Sequence, residues 1–205
     1  ASVRPGNRPG NPASAAARGQ LLRFADLVGE GGERMGLVAR ADLPRLRMRH
    51  LREAIAPVFT GAFPAGARVL DVGSGGGFPG IPLSILRNDI ELTLLEPRHR
   101  RGAFLEKAVM VLGLARIEVQ TASIDAFSRS STTGGFGWIV SRGVAWSGPM
   151  VRCLEKVAAQ EANLIRFGAP ELVMQDVEVH RIQADVPRAI QIWPRRAWGG
   201  LPGAR

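Results

Sequence analysis

The chain has 205 residues, of which 45% are hydrophobic and 22% charged, so it is long and apolar enough for a globular domain with a substantial core. Its single cysteine, Cys153, excludes an intrachain disulfide framework and a cysteine zinc site, and the three scattered histidines lack metal-ligand spacing, so we expect no metal. The net charge of +9 favours an acidic or nucleic-acid partner, although an arginine-rich solvated surface would give the same charge.

The N-terminal part of the chain predicts a tail followed by a helical extension. Residues 1–19 are rich in Gly, Pro, Ser, Ala and Arg and contain no acid, which predicts a flexible basic tail. Residues 20–62 predict two helices, one over residues 20–28 that ends in a glycine-rich loop, and one from Asp42 to about Phe59 with Pro44 in its first turn. No segment has a signal-peptide core or an apolar run that could cross a bilayer, so we expect a cytoplasmic protein without a membrane partner.

Residues 63–205 predict the main domain, in which strand-type and helix-type segments alternate from Arg68 onward. This alternation predicts an α/β fold with a mostly parallel sheet covered on both faces. The predicted strands are residues 68–72, 91–96, 116–120, 138–141, 163–167, 172–182 and 189–193. The predicted helices are residues 80–86, 98–112 and 147–159. The last two strands have no clear helix between them, so we expect an antiparallel strand at the edge, an arrangement that resembles the Rossmann-like class I methyltransferases.

A glycine-dense turn follows the first predicted strand, where parallel sheets bind nucleotide-type cofactors. Gly75, Gly77 and Gly80 satisfy the dinucleotide fingerprint, and Glu96 has the position of the acid that binds a ribose. Two features favour S-adenosylmethionine over a dinucleotide. The carboxylate of Asp71 would repel a pyrophosphate but suits the ammonium group of S-adenosylmethionine. The prolines of the turn remove backbone N–H donors that a phosphate needs.

The same turn carries a resemblance to a known family. Residues 71–83, Asp-Val-Gly-Ser-Gly-Gly-Gly-Phe-Pro-Gly-Ile-Pro-Leu, closely resemble the cofactor motif of the RsmG/GidB family of bacterial small-subunit rRNA guanine-N7 methyltransferases. Further matches are Leu94-Leu95-Glu96, Arg100-Arg101, Phe104-Leu105, residues 139–145, His50 and Glu53. The resemblance implies the class I S-adenosylmethionine-dependent methyltransferase fold, S-adenosylmethionine as cofactor, and methyl transfer to N7 of a guanine in 16S rRNA, either free or in the 30S ribosomal subunit.

The resemblance, together with the charge pattern, also assigns site residues. The candidate cofactor-binding residues are Asp71, Gly73, Gly75, Phe78, Glu96, Ile124, Asp125 and Arg142. Among them Glu96 would bind the ribose hydroxyls, and Ile124 and Asp125 would lie beside the adenine. Arg142 would stand at the mouth shared by cofactor and substrate, which makes it the candidate catalytic residue. The arginines that could meet RNA phosphates, or simply form solvated faces, are Arg45, Arg49, Arg52, Arg98, Arg100, Arg101 and Arg166.

Some positions depart from the family pattern. Ser123 stands where the family usually has arginine, and Arg166 is the nearest replacement for the family's lysine after the fifth strand. The family's Trp-Asn and Asn-Leu-Thr elements are not recognisable around residues 24–37. These departures concern the RNA side more than the cofactor side.

The chemistry of the implied reaction is compatible with the sequence. Guanine N7 carries an in-plane lone pair and loses no proton on methylation, so positioning of the methyl donor can suffice without a general base. No Asn-Pro-Pro-Tyr or Asp-Pro-Pro-Tyr element follows the fourth strand, and Cys153 suits a small buried apolar role better than that of a nucleophile. The alternatives are a small-molecule or other-RNA methyltransferase, a non-catalytic RNA-binding module for ribosome assembly and, last, a NAD-linked oxidoreductase.

Overall fold

A computed structural model of the protein describes residues 14–37, 40–131, 135–168, 176–182 and 188–201. Residues 1–13 of the expected tail and residues 172–175 of the sixth expected strand lie outside the described residues, as does the side chain of Asp42, the expected N-cap. The described residues form a seven-stranded sheet in the order β3-β2-β1-β4-β5-β7-β6. The strands are β1 Arg68–Val72, β2 Glu91–Leu95, β3 Ile117–Gln120, β4 Phe136–Ser141, β5 Ala158–Gly168, β6 Glu178–Ile182 and β7 Arg188–Pro194.

The pairing of these strands confirms the expected mostly parallel sheet. Strands β1 to β5 run parallel to one another, while β7 runs antiparallel to both β5 and β6. The antiparallel strand therefore lies one position in from the edge. Because strands β1, β2 and β4 are parallel neighbours, their carboxyl ends meet at one edge of the sheet, and residues that follow them can form a common site.

Helices cover both faces of the sheet. The α-helices are α1 Ala15–Met35, α2 Arg52–Ile55, α3 Gly80–Leu86, α4 His99–Leu112, α5 Ile124–Ser130 and α6 Gly148–Val157. The segments Arg40–Arg45, Ala56–Thr60 and Arg195–Gly200 are 3-10 helices, and Leu46–Leu51 is a π-helical turn. None of the helices in the described ranges has the length and apolarity that a membrane crossing requires.

The expectations for the first helix are wrong at both ends. Helix α1 begins at Ala15, inside the expected flexible tail, and continues to Met35 through the glycines expected to form a loop. Phe24 and Val28 on its inner face are fully buried. Tertiary packing of this apolar face offsets the low helix propensity of glycine, which local pattern alone could not reveal.

Two further helical expectations also need correction. The single helix expected from Asp42 to Phe59 is instead a succession of 3-10, π, α and 3-10 turns, with Pro44 inside the first 3-10 segment and Pro57 at the start of the last. Proline removes an N–H donor, so it interrupts regular α-helical bonding here. Helix α5, which has seven residues, was not expected from the sequence.

The buried hydrophobic residues that the structure describes form two clusters on opposite faces of the sheet. Val69 of β1 belongs to the cluster beneath α1, α3 and α4, and Leu70 belongs to the cluster beneath α5 and α6. Side chains alternate along a strand, so Asp71 faces the α1 and α3 side, at the end of the strand. Packing of the core therefore places Asp71, which precedes the glycine turn, beneath α1 and α3.

We expect Gly80→Ala to destabilise the fold and Gly29→Ala to stabilise it. A Cβ at Gly80 would lie 2.3 Å from Leu94 Cδ2 and 2.6 Å from Asp71 Oδ2. The turn or the strand would have to shift, at a cost of roughly 1–3 kcal/mol. A Cβ at Gly29 meets nothing within 4 Å, so alanine there should add up to about 1 kcal/mol through helix propensity. Urea unfolding measures both changes, and no gain from Gly29→Ala would contradict a helix at that position.

Candidate functional site

The glycine turn leaves β1 at its carboxyl end and is held there by the backbone of β2. The N–H groups of Gly73 and Ser74 donate to the carbonyl oxygen of Leu95 at 2.8 and 3.2 Å. Gly73, Gly75 and Gly77 have φ values of 74°, 56° and 90°, in the left-handed region that glycine enters without strain. The geometry of the turn therefore requires these glycines. A Cβ at Gly73 would lie 2.6 Å from Val144 Cγ2 and one at Gly77 would lie 2.7 Å from Ile81 Cδ1, whereas a Cβ at Gly75 would meet nothing nearer than 3.8 Å.

Asp71 lies beneath this turn and has no exposed surface. Its Oδ2 accepts a hydrogen bond at 3.0 Å from the N–H of Gly80, at the start of α3. Its Oδ1 is buried and has no hydrogen-bond partner among the residues that the structure describes. Burial raises the pKa of this carboxyl to about 7, although the hydrogen bond from Gly80 opposes the rise. Asp71 thus closes the turn, and Oδ1 retains acceptor capacity for a donor or a cation.

Glu96 follows β2 directly and is buried at the same edge. Its Oε2 accepts a hydrogen bond from the N–H of Gly75 at 2.9 Å, and its Oε1 accepts one from the N–H of Arg98 at 3.0 Å. The carboxylate therefore ties the tip of the glycine turn to the start of α4. Each carboxylate oxygen has a further lone pair, so Glu96 can also accept hydrogen bonds from ribose hydroxyls.

Arg142 follows β4 at this edge, and residues of the N-terminal helical segment surround its guanidinium. Its Nη2 lies 3.3 Å from Glu53 Oε2 and contacts His50 Nδ1. Its Nη1 donates to the carbonyl oxygen of His50, 92 positions away in the chain, at 3.4 Å. Glu53 Oε1 also pairs with Arg49 Nε at 3.4 Å. We call these four residues, Arg49, His50, Glu53 and Arg142, the arginine clamp, and they tie the end of β4 to the N-terminal segment.

The contacts within the clamp were not predicted. The sequence indicated His50 and Glu53 only as family matches, while Arg142 was placed after the fourth strand without a partner. The spacing of Arg49 and Glu53 by four positions, which suits an ion pair on a helix, was the available signal. Their meeting with Arg142 depends on how the first helices pack against the sheet.

Phe78 connects the glycine turn to both the clamp and α1. The centre of its ring lies 5.0 Å from that of Phe24 and 5.8 Å from that of His50. The guanidinium carbon of Arg142 lies 5.7 Å from the same ring, within the range of a cation–π contact. Only 8% of Phe78 is exposed, and Phe24 and His50 of the N-terminal segment are among the groups that pack against its ring.

Ile124 and Asp125 begin α5, beyond β3. Ser123 caps this helix, because its Oγ accepts a hydrogen bond from the N–H of Ala126 at 3.1 Å. The departure from the family's arginine at this position therefore has a structural role. Asp125 is exposed and pairs with Arg129 at 2.6 Å, and Ile124 is half-buried against the α5 and α6 cluster. Contact of these residues with an adenine stays a prediction.

The arginines expected to meet RNA fall into two groups. The exposed group comprises Arg45, Arg52, Arg98 and Arg100. In the other group, Arg49 belongs to the clamp, and Arg101 donates to the carbonyl oxygen of Gly36, just after α1, at 2.6 Å. The guanidinium carbon of Arg166 lies 5.9 Å from the ring of Trp193, and partial burial lowers the pKa of Arg166. These internal contacts make the exposed group the better candidate for phosphate binding.

The edge formed by β1 and β2 suits a nucleoside cofactor with a cationic end. Asp71 offers a buried acceptor oxygen, Glu96 offers lone pairs for hydroxyls, and the backbone between them carries no side chain at Gly73 or Gly75. The part of the chain that the structure describes contains no group of three or more His, Cys, Asp or Glu residues that could hold a metal ion. The two acceptor side chains, Asp71 and Glu96, therefore fit the ammonium group and the ribose hydroxyls of S-adenosylmethionine.

Comparison with known proteins identifies the family. The sequence profile of the GidB family, described as rRNA small subunit methyltransferase G, matches residues 17–172, a range that contains the glycine turn, both buried acids and the arginine clamp. The chain belongs to the GidB family. This result confirms the family resemblance of the turn.

Named relatives of this GidB-family chain align over different shares of their length. The ribosomal RNA small subunit methyltransferase G of Streptomyces coelicolor is 45% identical over 98 residues, which are 48% of this chain and 40% of that protein. The protein of the same name from a Nocardioides species is 34% identical over 190 residues, 86% of this chain and 74% of that protein. The chain thus spans less than half the length of the first relative and about three quarters of the second.

Solved structures confirm the fold of this family member. A SAM-dependent methyltransferase from Aquifex aeolicus superimposes with a TM-score of 0.55 at 14% sequence identity, covering 71% of this chain and 90% of that chain. Together with the order of the strands, this likeness confirms the class I methyltransferase fold.

We expect the contribution of Asp71 to the free energy of unfolding to fall as the pH rises towards neutrality. The folded-state pKa of Asp71 is about 7, against 3.8 for an unperturbed carboxyl, so between these values the folded chain holds a proton that the unfolded chain has released. The contribution is fully present below the lower value, is lost through the interval, and is constant above the upper value. The amide oxygen of Asp71→Asn can still accept the hydrogen bond from Gly80. In this variant the slope of the unfolding free energy against pH should correspond to up to one proton fewer than in the wild type. Urea unfolding at several pH values measures this, and equal slopes in both proteins would contradict the raised pKa.

We expect Glu53 and Arg142 to be coupled more strongly than the surface pair of Asp125 and Arg129. The clamp side chains are 5% and 16% exposed, whereas the surface pair is 56% and 66% exposed and therefore screened by water. Double-mutant cycles with Glu53→Gln and Arg142→Met should give a coupling of roughly 1–3 kcal/mol. The control cycle with Asp125→Asn and Arg129→Met should give less than about 0.5 kcal/mol, despite its shorter contact. Equal couplings would argue against a structural role for the clamp.

Proposed function

We propose that the protein transfers a methyl group from S-adenosylmethionine to N7 of a guanine in 16S rRNA of the small ribosomal subunit, in the cytoplasm. The single observation that carries this proposal is the GidB-family match over residues 17–172, because one continuous alignment includes both the glycine turn and the arginine clamp. The names of the relatives support small-subunit rRNA as the substrate. The choice of guanine N7 follows from the family resemblance of residues 71–83.

The proposal assigns the cofactor to the carboxyl ends of β1 and β2. Glu96 would accept the ribose hydroxyls while it continues to hold the N–H groups of Gly75 and Arg98. The acceptor Oδ1 of Asp71 would attract the ammonium end of the cofactor, directly or through a water molecule. Gly75 would allow close approach of the ligand, since a Cβ there would meet nothing nearer than 3.8 Å, whereas the side chain of Val144 fills that space at Gly73. The bound cofactor supplies an electrophilic methyl group on a sulfonium.

The proposed reaction requires the protein to position the two reactants but not to transfer a proton. Guanine N7 presents its lone pair in the plane of the base, so the methyl group and the nitrogen need only be held in line. The two buried carboxylates at this edge, Asp71 and Glu96, are engaged with backbone N–H groups and suit cofactor binding better than proton removal. Arg142, held by the clamp, would orient the RNA at the mouth of the site.

The RNA side of the proposal rests on the exposed arginines near this edge. Arg98 and Arg100 begin α4, just beyond Glu96, and Arg45 and Arg52 belong to the segment that leads into and out of the clamp. Guanidinium groups in these positions can bind phosphates in bidentate fashion. Their contribution to RNA affinity should therefore decrease as the salt concentration increases.

The decisive experiment is the transfer of tritiated methyl groups to 30S subunits and to free 16S rRNA that lack the modification, followed by mapping of the labelled nucleotide. Large subunits serve as the matched negative substrate. Label on N7 of a small-subunit guanine is the expected result. Intact binding of S-adenosylmethionine without label on either substrate would favour another RNA, a small-molecule substrate or a non-catalytic RNA-binding module.

Glu96→Ala should weaken the binding of S-adenosylmethionine by about 1–3 kcal/mol, as expected for hydrogen bonds to a charged acceptor. Isothermal titration calorimetry measures the affinity, and Glu118→Ala, an exposed acid on β3, is the matched control. Because Glu96 also holds the turn, the wild type and the variant are compared with a cofactor analogue that lacks the ribose hydroxyls. Only the wild type should prefer the natural cofactor, and an unchanged preference would remove Glu96 from the ribose site.

A further inference from the structure

A groove lies between the N-terminal segment and the last two strands, apart from the cofactor edge of β1 and β2. It has a volume of about 370 Å³. One wall consists of α2 and the following 3-10 helix, and the other wall consists of β6 and β7. The lining side chains include Arg52, Ile55, Phe59, His180, Arg181 and Ile190.

The groove is on the same side of the sheet as the arginine clamp. Ile55, Ile182 and Ile190 of its floor pack in the hydrophobic cluster beneath α1 and α3. Arg52 directly precedes Glu53 of the clamp in α2. In the sheet order, β7 lies two strands from β4, a lateral distance of roughly 10 Å. An RNA strand that reaches the clamp can therefore continue into the groove.

The groove combines an exposed aromatic ring with two exposed cations. Phe59 is 66% exposed, which is unusual for a large hydrophobic side chain in the described part of the fold. Arg52 and Arg181 are exposed on the two walls. On the same strand, Glu178 Oε1 lies 2.6 Å from His180 Nε2. An aromatic platform beside guanidinium groups is characteristic of surfaces that bind single-stranded nucleic acid, where bases stack on the ring and phosphates meet the cations.

We propose that this groove binds an unpaired nucleotide of the RNA substrate close to the methylated guanine, with its base stacked on Phe59 and its phosphates held by Arg52 and Arg181. This inference rests on the proposed function, since it takes RNA as the substrate. The net charge of +9 and the two guanidinium groups favour RNA over an apolar peptide as the occupant. A peptide would use the apolar floor but would show little dependence on salt.

The direct test measures the affinity of the full chain for a single-stranded oligouridine of about ten nucleotides, which is within the site size of single-strand-binding folds. Phe59→Ala and Phe59→Leu should each weaken binding by at least about fivefold, whereas Phe59→Trp should retain it, because stacking requires a ring. Arg52→Gln and Arg181→Gln should each reduce the steepness of the plot of log affinity against log salt concentration by about one. Arg116→Gln, which removes an exposed arginine paired with Glu91 beside β3, is the charge-matched control and should have a smaller effect.

Methyl transfer to 30S subunits is measured with the same variants, after thermal unfolding has shown that they are folded. We expect Phe59→Ala to raise KM for the subunits while the affinity for S-adenosylmethionine stays that of the wild type. If the wild type transfers methyl groups but Phe59→Ala matches it in KM and in oligouridine binding, the groove inference is overturned and the proposed function stands. If the wild type transfers none, the proposed function is overturned, and the oligouridine comparison of Phe59→Ala with Phe59→Trp still decides the groove.

Discussion

Two buried carboxylates that accept backbone N–H groups hold the glycine turn, and the site depends on them. Asp71 binds the N–H of Gly80, and Glu96 binds the N–H of Gly75. In each hydrogen bond the carboxylate oxygen and the N–H group satisfy each other. Without its partner, either buried group would cost free energy. Asp71 lies near the carboxyl end of β1 and Glu96 directly follows the neighbouring parallel strand β2, so the turn has a fixed position relative to the sheet edge. A cofactor bound there would meet a backbone that is already in place.

The N-terminal segment is part of this site rather than an appendage to it. Phe24 of α1 packs on Phe78 of the turn, and the clamp holds Arg142 against the segment between α1 and β1. The surface that would face RNA and the edge that would hold the cofactor are thereby joined in one structure. The same segment supplies Arg52 and Phe59 to the groove, which places the proposed RNA contacts on elements that the clamp positions.

Local sequence patterns predicted the central elements well and the flanking ones poorly. The bounds of β1 and α3 agree with prediction, because a buried strand, a glycine turn and a short apolar helix are each encoded by neighbouring residues. Helix α1 was predicted too short because its glycines suggest a loop, whereas burial of Phe24 and Val28 holds the helix together. Helix α5 was missed, although the cap at Ser123 was a usable signal.

The sequence by itself determined the fold class, the glycine turn with its two acids, and the family, since each is encoded by residues close together in the chain or by an ordered series of motifs. Only the tertiary structure decided how the arginines are used. Arg142 meets Glu53, and Arg101 meets the end of α1, through contacts between segments far apart in sequence. Whether an arginine is exposed or engaged depends on which surfaces pack together, and that is a property of the whole fold rather than of its neighbours in the chain.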